Sequence, residues 1–141
     1  MNQKQFKEKL RRYLSTSLFE DGMNNAAQDL VVEMFEIDSK FVIKYMSKMW
    51  DESPDVYECE QVLLLIKRLP GGIKELERIA FEAMGNKKHA SIIDLGIKCF
   101  ECWGKCTDMD RFKSYDYSKI KWLDEYYKEV IEYLEKKSER I

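Results

Sequence analysis

Apolar side chains recur three and four residues apart through almost the whole chain, and no other feature of the sequence limits the fold so tightly. That spacing places successive apolar groups on one face of an α-helix and has no counterpart in a strand, whose period is two. Seven helices are predicted. The first, over residues 2–18, buries Phe6, Leu10, Tyr13 and Leu14 and breaks at Asp21-Gly22. The second, over 24–36, starts near Asn24 and sets Ala27, Leu30, Val31 and Met34 inward. The third, over 39–50, follows Asp38 or Ser39 as cap and buries Phe41, Val42, Tyr45, Met46 and Met49.

Ser53-Pro54-Asp55 is the clearest boundary. Serine caps helices well, proline suits the first helical position, and aspartate complements the positive end of the dipole. The fourth helix therefore runs from Pro54 to about Leu69, with Val56, Cys59, Val62, Leu63 and Ile66 inward, until Pro70-Gly71-Gly72 stops it. The fifth, over 73–84, ends at a capping Gly85, and the sixth, over 87–103, ends at Gly104. A polar and aromatic loop follows, and the last helix spans 118–137 with Glu132 and Lys136 paired one turn apart.

An internal repeat runs through the even-numbered helices. Ala27, Leu30, Val31, Met34 and Ile37 align with Cys59, Val62, Leu63, Ile66 and Leu69, and again with Ile92, Leu95, Gly96, Cys99 and Cys102. Helix pairs repeating every 32–35 residues or so suggest a solenoid of stacked hairpins. On Ser53-Pro54-Asp55-Val56 followed by Cys59, Val62, Leu63 and Ile66, the chain resembles HEAT or armadillo-like α-superhelical proteins, although Tyr57 stands where their usual arginine would be. The resemblance, over about 24–134, implies a short stack of antiparallel hairpins, and residues 1–141 are expected to form a single all-α domain. An irregular helical bundle is the alternative.

The chain has 141 residues, 45% of them hydrophobic, which is enough for a real core. The N-terminus lacks the apolar stretch of a signal peptide, and no apolar run approaches the ~20 residues of a membrane span. Cys59, Cys99, Cys102 and Cys106 are then expected as reduced thiols in the cytoplasm. The net charge of −2 conceals an uneven distribution. Residues 1–20 hold five basic and two acidic side chains, whereas residues 21–66 hold three basic and ten acidic. Phosphate binding needs a basic stripe, so this block argues against nucleic acid and suits a basic protein partner.

Cys99, Cys102 and Cys106 fall on one helical face as metal ligands could, but they also extend the apolar stripe of Ile92 and Leu95. A second ligand hook is missing, so buried thiols are expected and no metal or cofactor. His89, the single histidine, has no nucleophile motif beside it, and Gly71-Gly72 lacks the rest of a phosphate loop. No catalytic residue is assigned. The acids Asp51, Glu52, Asp55, Glu58 and Glu60 cluster without a basic neighbour. They either solubilise the surface and favour a helix start, or attract a cationic partner. The loop 104–117 sets Asp108, Asp110 and Asp116 among Phe112, Tyr115 and Tyr117, a mixture suited to recognition or to capping the core. The N-terminal lysines and arginines are expected on a solvated face.

Asp51, Glu52, Asp55, Glu58, Asp108, Asp110, Tyr115, Asp116 and Tyr117 are therefore the candidate partner-binding residues. A small, mildly acidic helical chain without catalytic apparatus resembles the immunity proteins of contact-dependent growth inhibition and related toxin systems. That resemblance implies a non-enzymatic protein that covers a basic toxin domain, a nuclease, with no membrane or nucleic-acid role of its own. The other expectations are an adaptor that uses the concave face of a solenoid, and a metal protein or enzyme centred on the cysteines and His89.

Overall fold

A computed structural model describes residues 1–16, 25–53 and 55–139. The expected break at Asp21-Gly22, the helix start at Asn24 and the role of Pro54 lie outside them. The described residues form eight helices and no strand: α1 (Gln3–Thr16), α2 (Ala26–Ile37), α3 (Ser39–Asp51), α4 (Val56–Ile66), α5 (Lys74–Met84), α6 (Ala90–Trp103), α7 (Met109–Phe112) and α8 (Lys121–Ser138). The additional element is α7, one short turn inside the expected loop. Asp108 starts it by accepting from the Arg111 amide at 3.1 Å.

Local chemistry explains most of the boundaries. Asn25 caps α2 through the Ala27 amide at 2.8 Å, and Asp38 caps α3 through the Phe41 amide at 3.2 Å. The expected Ser53 cap of α4 is corrected. Asp55 performs it, accepting from the Glu58 amide at 2.9 Å, while the Ser53 hydroxyl turns back to the Met49 carbonyl at 2.5 Å. The start of α6 is displaced to Ala90 because the Asn86 side chain accepts from both the Lys88 and His89 amides and holds that stretch as a turn. Gly104 ends α6 in the left-handed region, at φ 71°, which a residue with a Cβ adopts only with strain. Gly85 sits at the end of α5 with φ −85°, so its cap needs no glycine conformation.

The helices pack as successive pairs in two layers. Within a pair the directions oppose: Gln3 at the start of α1 meets Asp38 at the end of α2, and Gly71 before α5 lies against Trp103 at the end of α6. The first three odd helices contact one another in order. Phe6 of α1 meets Phe41 and Tyr45 of α3 edge-on, and Trp50 of α3 donates to Glu82 of α5 at 3.1 Å. Even helices do the same. Gln28 of α2 reaches the Leu64 carbonyl of α4, and Cys99 and Trp103 of α6 reach the Leu63 and Ile66 carbonyls of α4. Tyr126 of α8 donates to Glu101 of α6 at 2.8 Å. α7 is a single turn whose Phe112 packs between Phe100 of α6 and Tyr127 of α8. This arrangement is compatible with a helical-repeat fold.

The core follows the repeat. Ala27, Leu30, Val31 and Met34, then Val62, Leu63 and Ile66, then Ile92, Leu95 and Cys99, are all buried. The fifth repeat position is buried in the second unit only, just beyond the end of α4. Leu69 is buried, but Ile37 is 55% exposed and Cys102 is exposed. Cys59 is only partly covered, short of the inward position expected for it.

Candidate functional site

Asp51 and Glu52 end α3, and Asp55 and Glu58 begin α4, so the tight connection between these helices brings four carboxylates to one corner. They are not equivalent. Asp51 pairs with Arg78 at 3.3 Å, and Arg78 pairs with Glu82 at 2.6 Å. Asp55 is engaged as the α4 cap. Glu52 and Glu58 are exposed and have no ion pair with a described residue. The field of Asp55, Glu58 and Glu60 extends to the nearby Cys59 thiol. Burial raises the Cys59 pKa most, and Asp55 and then Glu58 and Glu60 add to it.

Beside this corner lies an open groove of about 460 Å³ between α1, α3 and α4. Leu10, Leu14, Tyr45, Met49 and Tyr57 give it an apolar lining, and Glu52, Glu58 and Arg11 supply its charge. Tyr57 is 55% exposed, which is unusual for so large a ring. Tyr45 is held above the ordinary phenol pKa, chiefly by burial, with Arg11 lowering and Glu52 raising it.

The segment 104–117 does not join that corner into one patch. It runs along α5, from Glu77, which takes the Thr107 amide and hydroxyl, to the C-terminal carbonyls of that helix. Tyr115 donates to the Phe81 carbonyl at 3.2 Å and Tyr117 to the Met84 carbonyl at 2.7 Å. Tyr117, a candidate partner-binding residue, faces the core. It is 8% exposed, and burial pushes its hydroxyl pKa far up. Its ring stacks on Tyr115 and meets Tyr127 edge-on, so these aromatics cap the core. Asp108 is the α7 cap and Asp110 is exposed. Asp116 accepts from the Ser118 amide at 2.9 Å, which draws its carboxyl pKa down. Lys87 and Lys119 share a second cleft with Asp116, and Arg111 stacks on Phe81 at 4.4 Å, so cations are mixed among these acids.

The thiols spread out. Cys99 is wholly buried, Cys102 exposed and Cys106 between the two, and burial raises the pKa of all three, that of Cys106 to about 12. Among the described residues no group of three or more His, Cys, Asp or Glu side chains could hold a metal ion. His89 is the exposed residue preceding α6, and its side chain makes no capping bond. None of the described helices is long and apolar enough to cross a membrane.

No known family model, curated protein or solved structure matches this chain.

Sequence reasoning missed the buried polar side chains. Gln28, Gln61 and Glu77 are each no more than 7% exposed, and each bonds to a residue outside its own helix. Glu77 carried a signal, since it shares a helix face with Leu76, Ala80 and Met84, where an acid needs a partner.

Proposed function

We propose that this chain acts by binding a basic protein through the α3–α4 corner, as an immunity protein occludes a toxin nuclease. The observation that supports it most is the pair of exposed carboxylates, Glu52 and Glu58, with no ion pair to a described residue and inside the chain's most acidic stretch. Such a surface steers a cationic partner at encounter and repels nucleic acid. The finer identification, a HEAT-like immunity protein of contact-dependent growth inhibition, rests on the all-helical build and the acidic corner.

The test is co-purification with the product of the adjacent gene, followed by nuclease assay of the mixture. A stable complex with activity abolished is expected. Reversing charge at Glu52 and Glu58 should weaken binding and flatten its salt dependence. These two are chosen because Asp55 also holds the start of α4. A neighbour that neither binds nor cleaves nucleic acid overturns the immunity reading.

A second reading, a cytoplasmic adaptor, is favoured by Trp122 and Tyr133 on α8, 54% and 38% exposed on one face of the helix. Trp122→Ala should then abolish partner capture while charge reversal at Glu52 and Glu58 leaves it intact.

A further inference from the structure

The acidic corner by itself accounts for attraction and not for a seat. The groove next to it supplies one, and we infer that it receives a basic amphipathic segment of the protein partner, whose apolar side chains insert between α1 and α3. This deepens the proposed function and rests on it for the partner's being a protein. Leu10 and Leu14 come from α1, Tyr45 and Met49 from α3, and Tyr57 from the first turn of α4. About 460 Å³ lies within the ~300–1,000 Å³ range of clefts that accept ligands.

Charge selects the occupant. Both carboxylates at the groove come from the α3–α4 side, and neither has an ion pair with a described residue. Arg11, from α1, is the one cation among the described lining residues. An apolar segment without cations would cover Glu52 and Glu58 and leave them desolvated and unpaired, a costly outcome. A polyphosphate strand would be repelled by the same groups and has no apolar side chain for the floor. Lysines or arginines flanking one or two large aliphatic residues satisfy both demands. Tyr57 has the features of an anchor, being large, amphipathic and already ordered on a helix.

The probe is a fluorescein-labelled synthetic amphipathic Leu/Lys peptide, titrated against the full chain by fluorescence anisotropy. Tyr57→Ala should weaken binding roughly tenfold, the scale of an interface anchor. Joint Glu52→Gln and Glu58→Gln should do likewise and reduce the salt dependence. Joint Glu125→Gln and Glu129→Gln, the same charge change at exposed positions of α8, should leave affinity unchanged. All substituted side chains are exposed, and circular dichroism should report intact helix. In methyl NMR of the unaltered chain, the Met49 signal should shift on titration while those of buried Met34 and Met84 stay put. Equal weakening by the α8 pair, or a silent Met49, overturns the groove. The same variants with the adjacent gene's product separate the two ideas. Binding that responds to the carboxylates but not to Tyr57 removes the groove and keeps the immunity reading. A product that does not bind, beside a peptide that does, has the opposite meaning.

Discussion

The single most constrained charge in this fold is Glu77. It is 2% exposed, and both its oxygens face the Thr107 amide while one also takes the Thr107 hydroxyl at 2.5 Å. A buried carboxylate is tolerated when donors surround it and is expensive otherwise. Glu77→Ala should therefore cost about 1–3 kcal/mol by leaving the Thr107 amide without its acceptor, measured by urea unfolding. Tyr117→Phe should cost about 1 kcal/mol, because the Met84 carbonyl loses its donor. The thiols make a pH prediction. Cys106 titrates near 12 in the fold against an ordinary 9.0, chiefly through burial. Its protonated form is favoured by folding, so its stabilising effect is complete below pH 9.0 and lost as the pH rises towards 12. Alkylation of Cys106 in the native chain should be slow at pH 8 and accelerate on denaturation. Substantial thiolate reactivity at pH 8 in the folded protein would contradict the geometry.

At the scale of elements, helix ends are closed by side chains from other hairpins. The last carbonyls of α4 receive Gln28 from α2 and Trp103 from α6, and those of α5 receive Tyr115 and Tyr117. Carbonyls at a helix C-terminus lack partners within the helix, so these bonds tie pair to pair at points where they matter most. The starts of helices are instead closed locally, by Asn25, Asp38, Asp55 and Asp108. Asp55→Ala should cost about 1 kcal/mol in thermal or chemical unfolding, and Ser53→Ala clearly less, since only Asp55 reaches an orphan amide of α4. Gly96 governs the approach of α5 to α6. A Cβ there would stand 2.8 Å from the Ala80 carbonyl and 3.0 Å from the Ala83 Cβ, both unable to yield without moving a helix. Gly96→Ala should therefore destabilise the fold by about 1–3 kcal/mol despite alanine's better helix propensity. A rise in melting temperature would show that α5 and α6 separate freely.

Across the molecule, each helix pair packs on its neighbours, so resistance to opening should be graded. Native-state hydrogen exchange is expected to be slowest in α4, α5 and α6, which are covered on several sides, and fastest in α1, which starts the stack. Uniform protection would mean a single cooperative core. The sequence carried much of this design. Apolar period, breakers and the repeat across α2, α4 and α6 determined that the chain is helical, where its helices lie to within a few residues, and which residues form the stripes, because helical periodicity is a local property. It also located the acids of the α3–α4 corner, since their clustering is local too. It did not reveal that Tyr117 is core, that Glu77 is a latch or that Asp108, Asp110 and Asp116 are spread along α5. Nor did it reveal the groove between α1, α3 and α4. Those facts depend on which helix lies beside which, and burial and hydrogen-bond partnership are fixed only when segments distant in the chain come into contact.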